Sequence, residues 1–264
     1  MNNIKKMELM HFECLQGMYF SKIVADTTHT LVSSDLIEDS YYNYCSLLRF
    51  ENSSFLAAWN EIKKQFPDNR NPAIYVSPSS DLYGEERIYL SEFQKEYTDA
   101  WMVLQEGQYL DTLSYSSQIS VNKIVSEEEF ITFVDTFTVA YSGDDPNDPY
   151  GQLSPTYTKA LLNSWNCNDK YNRTHYLALW NEKPAGVATA IRYNNLVAVY
   201  NVGTVSEYRK HGIGEAIMSN IVKDLNPHEI LFLQTEKGSN VEAWYEKMGF
   251  ETLFLGECYI EKKE

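Results

Sequence analysis

Asn201-Val-Gly-Thr-Val-Ser-Glu-Tyr-Arg-Lys-His-Gly-Ile-Gly-Glu-Ala-Ile-Met218 is the stretch whose reading decides the fold. It opens as a strand end and passes through a polar turn of the form Arg-x-x-Gly-x-Gly, at Arg209, Gly212 and Gly214. Beyond the turn, Ile213, Ile217, Ile221 and Leu225 recur four residues apart, which makes one apolar stripe of a helix. Asn226-Pro227 stops that helix. A helix start leaves backbone N–H groups without intrahelical partners at the positive end of the dipole. Glycines remove side chains that would hold an anion away from those groups. Arg209 and Lys210 add positive charge, so the stretch predicts an anion site. It matches neither the dinucleotide fingerprint nor the nucleotide-binding P-loop. Taken alone, it also fits an ordinary strand-to-helix turn with a basic start.

The residues downstream add a second motif. Ile230-Leu-Phe-Leu-Gln-Thr235 reads as a buried strand, and Ser239-Asn-Val-Glu-Ala-Trp-Tyr-Glu-Lys-Met-Gly-Phe250 follows it. Together the two motifs resemble those of the GNAT (GCN5-related) N-acetyltransferases. In that family Arg/Gln-x-x-Gly-x-Gly/Ala follows the fourth strand and cradles the pyrophosphate of coenzyme A. The second stretch is similar to the family's N-x-x-A-x-x-x-Y-x-x-x-G-F signature, with local spacing changes. Val205-Ser-Glu-Tyr-Arg209 looks like the family's lead-in, with Ser206 where proline is common. The resemblance covers about residues 119–262.

The resemblance implies an α/β fold with a mixed α+β sheet, that of the acyl-CoA N-acyltransferases. It implies acetyl-CoA as co-substrate and an amine as acceptor. The implied cofactor-binding residues are Val202, Gly203, Thr204, Arg209, Lys210, His211, Gly212, Ile213, Gly214 and Asn240. The pantetheine arm would lie in a slot between the fourth and fifth strands. Gly203 at the strand end fits a bulge that opens such a slot, and fits a merely irregular strand end equally well.

Acyl transfer from a thioester needs a polarised carbonyl, a neutral amine and a protonated leaving thiolate. Backbone N–H groups near Val202 to Thr204 suit the first need. Tyr245 matches the family's acid, since a phenol with pKa about 10 donates a proton without ionising at neutral pH. Its other reading is a packed core tyrosine beside Trp244. Asn240 looks like the family's asparagine near the pantetheine, suits an N-cap equally well, and can fill both roles together. His175, Asp144, Asp145 and Asp148 qualify as general base by type alone. A noncatalytic acyl-CoA-binding sensor module is the alternative function.

Net charge is -15, which argues against nonspecific nucleic-acid binding. It suits a cationic amine, and it also suits plain solubility. Cys14, Cys45, Cys167 and Cys258 lie far apart, so neither a zinc site nor a disulfide framework is expected. No apolar stretch reaches membrane-spanning length, and the N-terminus lacks a sustained apolar run. The expectation is a cytoplasmic monomer or homodimer with no membrane, metal or nucleic-acid partner.

Before residue 115 no phosphate-binding turn occurs. Phe55–Phe66 reads as an amphipathic helix, Ala73–Ser77 and Tyr97–Leu104 as strands, and Tyr41–Phe50 as ambiguous. Strand, helix, Phe and strand here echo the order from Ile230 to Leu255. The echo fits a degenerate first copy of a tandem pair, or coincidence between two common patterns. Ser114-Tyr-Ser-Ser-Gln118 is the linker candidate, giving domains 1–115 and 116–264. In the second, Ile119–Ile124 reads as a strand and Ser126–Glu129 as a capping box. The helix after it should bury Phe130, Phe133, Val134 and Phe137. A helix at Pro155–Trp165 and strands at His175–Trp180, Ala185–Tyr193 and Leu196–Val205 then lead into the Arg209 turn.

Overall fold

Backbone packing divides the chain into two units: Met1–Met102 with Gln234–Trp244 and Thr252–Glu264, and Val103–Leu233 with Tyr245–Glu251. This computed structural model describes residues 3–49, 55–67, 70–104, 115–142, 153–166 and 171–262. Ser114 of the expected linker, Cys167 and the acidic loop with Asp144, Asp145 and Asp148 lie outside the described residues.

In the first unit, α1 (Asn3–Leu15) precedes a hairpin of β1 (Lys22–Ala25) and β2 (Thr30–Ser33). Antiparallel β3 (Tyr44–Ser46) follows, and α2 (Phe55–Lys63) crosses over to β4 (Ala73–Val76), which runs parallel to β3. A short α3 (Glu86–Tyr89) leads to β5 (Phe93–Leu104). The chain's last strand, β11 (Phe250–Glu261), pairs antiparallel with β4, giving the order β1-β2-β3-β4-β11-β5. The first unit takes in Gln234–Trp244, with the end of β10 (Ile230–Glu236), and β11 from Thr252 onward, and the second begins at Val103.

The expected helix at Phe55–Phe66 forms as α2 and buries Phe55, Trp59 and Ile62 against Leu31, Ile74, Val76 and Phe93. Trp59 Nε1 donates to Glu261 Oε1 at 2.9 Å, which ties α2 to β11. Burying Trp59 whole requires such a partner for its N–H.

The second unit begins with β6 (Ile119–Lys123) and α4 (Glu127–Ala140). The capping box forms as expected: Ser126 Oγ accepts from Glu129 N, and Glu129 carboxylate accepts from Ser126 N. Phe130, Phe133, Val134 and Phe137 are all buried. After α5 (Pro155–Asn163) come β7 (Asn172–Trp180), β8 (Lys183–Tyr193) and β9 (Leu196–Thr204), an antiparallel meander. Asn181 and Glu182 both hold positive φ at the β7–β8 turn, the form that matches strand twist. Helix α6 (Ile213–Lys223) then crosses over to β10 (Ile230–Glu236), which pairs parallel to β9. The order in this unit is β6-β7-β8-β9-β10. Each unit therefore contains an antiparallel meander followed by a crossover helix and a parallel strand. Among the described residues no helix is long and apolar enough to cross a membrane.

The first unit also buries a polar cluster. Trp101 Nε1 donates to Tyr75 Oη at 2.7 Å, and Tyr75 Oη donates to Asp99 Oδ2 at 3.0 Å. Gly256 of β11 makes room for this, since a Cβ there would collide with the Tyr75 hydroxyl. Burial pushes the Asp99 carboxyl from the usual 3.8 up to about 7. The folded state thus holds a proton that the unfolded chain releases, so this group's contribution to stability falls as pH rises through that window. Asp99→Asn removes the titration and keeps an acceptor for Tyr75. Its stability relative to the native chain should rise from about pH 4 to about pH 7 and then level off, measured as urea midpoints across pH.

Candidate active site

Strands β9 and β10 pair from Leu196–Ile230 to Val199–Leu233, and there the ladder closes. Tyr200–Thr204 run on against β8. At that point β9 carries one residue too many: Val187 of β8 faces Gly203, and Thr189 faces Tyr200. The surplus is taken up at Asn201, whose φ of +56° is in the left-handed region that asparagine tolerates better than most residues. Such a bulge bends its strand and ends regular pairing. The bulge expected at Gly203 therefore lies at Asn201–Val202.

Gly203 serves a different purpose. A Cβ there would lie 2.8 Å from Tyr141 Cε2 and 3.0 Å from Ala140 Cβ, so glycine lets the end of α4 approach the strand. Gly186 does the same on the opposite face of the sheet, where a Cβ would lie 2.6 Å from Ile213 Cγ2 of α6.

The bulged segment is braced from three directions. Tyr141 Oη donates to Val202 O at 2.7 Å. Arg209 Nε donates to Thr204 O at 3.1 Å, and its Nη2 to Ala140 O at 3.3 Å. Asn201 Nδ2 donates to Thr189 Oγ1 at 3.1 Å. The Arg209 guanidinium joins the end of β9 to the last turn of α4, whose carbonyl end favours a cation.

The turn itself has the predicted form. Lys210 and Gly212 adopt φ of +63° and +85°. Gly212 is the N-cap of α6 and offers no side-chain acceptor to its first turn. That first turn begins with Ile213 and Gly214, both buried. Exposed His211 packs edge-on against Trp180 at 4.9 Å, and its Nδ1 donates to Arg209 O at 2.9 Å. The donor set fits an anion: a helix start with no competing side-chain cap and an exposed Lys210 next to it. Ile217 and Ile221 are fully buried, as the stripe predicts, but α6 ends at Lys223, so Leu225 lies past the helix and is half-buried.

Tyr245 lies on α7 (Asn240–Lys247), is 4% exposed, and meets Phe250 edge-on at 5.5 Å. Asn240 opens the same helix and is exposed. The capping oxygen comes from Ser239, whose Oγ accepts from Glu242 N at 3.1 Å, so the N-cap role considered for Asn240 belongs to its neighbour. Glu242 completes the cap by accepting from Gly238 N at 2.6 Å and Lys237 Nζ at 2.6 Å. The Ser-x-x-Glu spacing of Ser239–Glu242 is the signal that would have found it.

His175, a base candidate by type, is buried between Phe130 and Phe133 at ring distances of 4.8 and 4.9 Å. Burial, with Arg173 adding to it, lowers its pKa to about 4, so the ring is neutral at pH 7. Among the described residues no group of three His, Cys, Asp or Glu side chains could hold a metal ion.

Residues 138–250 match the sequence profile of the Acetyltransferase (GNAT) family. That span runs from the end of α4 through the bulge, the turn and α6 to Phe250. No curated protein matches the chain by sequence. Solved structures are similar over both units. A conserved protein of unknown function from Staphylococcus epidermidis shares 15% identity over 94% of this chain and 96% of its own, with a TM-score of 0.68. A GCN5-related N-acetyltransferase from Kribbella flavida shares 13% identity over 96% and 94%, at 0.66. A tandem GNAT protein from the clavulanic acid biosynthesis pathway shares 10% over 88% and 77%, at 0.58. At such identities the likeness is one of fold: a mixed α/β architecture with GNAT-like strand order.

Gly203→Ala should drive a methyl group into the Tyr141 ring, which the Val202 carbonyl holds in place. The expected loss is about 1–3 kcal/mol of stability, read from urea midpoints.

Proposed function

We propose that this chain is an acetyl-CoA-dependent N-acetyltransferase acting on a primary amine. The observation that carries the reading is the place where the β9–β10 ladder closes, at Val199, two residues before the Asn201 bulge and upstream of the turn that opens α6. Residues Val202 to Thr204 would hold the pantetheine arm. Lys210, His211, Gly212, Ile213 and Gly214 would hold the pyrophosphate at the start of α6, and Arg209 would keep the strand end and turn in register. Acetyl-CoA bound there would supply the acetyl thioester.

The remaining steps fall to the protein's own groups. Backbone N–H groups at the bulge polarise the thioester carbonyl, as fixed donors do best where charge develops. The phosphate turn sets how far along the arm that carbonyl lies. Tyr245 donates its phenolic proton to the departing sulfur. The acidic surface favours a cationic acceptor. The first unit, with its own meander, crossover helix and parallel strand, is a degenerate copy that lacks the Arg-x-x-Gly-x-Gly turn and holds no coenzyme A.

Acetyl-CoA should raise the melting temperature of the native chain, since it binds the folded state alone. Gly212→Glu should abolish the shift by setting a carboxylate against the phosphates, while circular dichroism shows the fold retained. A native chain with no shift at saturating acetyl-CoA ends the proposal. Release of thiol across an amine panel separates an enzyme from a sensor that binds acetyl-CoA without turnover.

Tyr245→Phe should leave acetyl-CoA affinity nearly unchanged and lower the single-turnover rate about a hundredfold, within the usual range for general acid catalysis. A wild-type single-turnover rate in that variant would make Tyr245 a packing residue.

A further inference from the structure

The polar contacts behind the bulge form a line that runs inward from Asn201. Asn201 Nδ2 donates to Thr189 Oγ1 at 3.1 Å, and Thr189 Oγ1 meets His175 Nδ1 at 2.9 Å. Thr189 is wholly buried and His175 is 6% exposed. Thr189 and His175 face each other across β8 and β7, so the line crosses three neighbouring strands. Its inner end is clamped: Phe130 and Phe133 stack at 5.7 Å with nearly parallel rings, and both pack on His175.

The direction of these bonds follows from what each atom can give. The Asn201 amide nitrogen can only donate, so Thr189 Oγ1 accepts there. The bond between Thr189 Oγ1 and His175 Nδ1 runs from the hydroxyl when the neutral ring is protonated at Nε2 and from the ring when it is protonated at Nδ1, since the hydroxyl oxygen can accept twice. The low pKa of His175, about 4, keeps the ring neutral at neutral pH, and either neutral tautomer closes the line. A primary amide does not readily pass a proton along, so the line fixes geometry and does not conduct protons.

What it fixes is the residue where β9 leaves its ladder. Asn201 holds a left-handed conformation that most side chains avoid, and such conformations persist where surrounding contacts over-determine them. An untethered bulge could slide along the strand, and a slip of one residue would reverse which way every following peptide group and side chain points.

We propose that Thr189 and His175 are positioning residues that lock the Asn201 bulge, so that the backbone N–H groups after it aim at the carbonyl of a bound acyl thioester. This rests on the acetyl-CoA reading above. It adds that carbonyl polarisation is controlled from the buried α4 side of the sheet, by residues remote from the phosphate turn and from Tyr245. Loss of the line should therefore harm the acyl end of the site and spare the phosphate end.

The test uses acetyl-CoA labelled with carbon-13 at the carbonyl and needs no acceptor amine. In the native chain the bound carbonyl resonance should move downfield of the free one, because hydrogen bonding polarises the bond. Thr189→Val should reduce that displacement by about half or more with acetyl-CoA affinity little changed, and Thr189→Ser should restore it. Asn201→Gly keeps access to positive φ and removes the tether from the other end, so it should lose the displacement as well. It also serves if Thr189→Val fails to fold. With an amine substrate, both variants should show kcat lowered about tenfold or more at steady KM for acetyl-CoA. A native-like carbonyl resonance in folded Thr189→Val or Asn201→Gly overturns the proposal, as does failure of Thr189→Ser to restore it. A native chain that does not bind acetyl-CoA overturns the parent reading too, and that outcome is distinct because the variants are then never needed.

Discussion

The candidate site depends on one departure from regular pairing, the extra residue at Asn201. Upstream of it, β9 is an ordinary central strand with β8 on one side and β10 on the other. Downstream, the same strand has left the β10 ladder and leads through the Arg209 turn to the start of α6. Buried backbone groups that leave a ladder need other partners or a ligand. Tyr141 and Arg209 answer part of that need from within the second unit, at the carbonyls of Val202 and Thr204, while Thr189 holds the side chain of Asn201. The glycines follow from the same constraint. Gly203 and Gly186 bring α4 and α6 against opposite faces of the sheet beside the bulge, where any larger residue would hold one of the helices off.

Charge at the turn is used differently from what its composition suggests. The chain carries a net charge of -15, so an anionic ligand needs strong local donors. Arg209 is the most conspicuous cation in the motif, yet its guanidinium is engaged by two backbone carbonyls. The structure thus spends it on holding the strand end and α4 together. That leaves Lys210 and His211 exposed at the turn, with the start of α6 behind them. Pre-positioned N–H groups act at short range and do not depend on the overall field, so an acidic protein can present an anion site of this kind.

The first unit shows the other use of buried polarity. Tyr75, Asp99 and Trp101 hydrogen-bond to one another inside it, and Gly256 of the last strand is what makes room for the Tyr75 hydroxyl. His11 is buried nearby, stacked edge-on to Trp101 at 5.5 Å and bonded to Tyr44 Oη at 3.1 Å, and burial lowers its pKa to about 3. These groups bind β11 to a sheet assembled from the opposite end of the chain. Sequence order alone gives no sign of that, because the partners of Gly256 lie more than 150 residues earlier.

The sequence by itself determined the elements whose signals are local. The capping box at Ser126, the stripe of Ile213, Ile217 and Ile221, the meander of three strands and the glycine turn at Gly212 each follow from residue type and spacing over a few positions, and each lies where expected. Helix α1 was not legible, because Glu8 and His11 sit buried among its apolar residues and break the periodic pattern. The hairpin of β1 and β2 is likewise absent from the sequence reading. At the site, tertiary structure decided what each polar group does. Nothing local marks Asn201 as the bulge, Arg209 as a brace, Thr189 as its tether or Tyr141 as the hydroxyl on Val202. Those roles come from strands and helices that meet only in the folded chain, and a hydrogen bond exists only where donor and acceptor are brought within about 3 Å of each other.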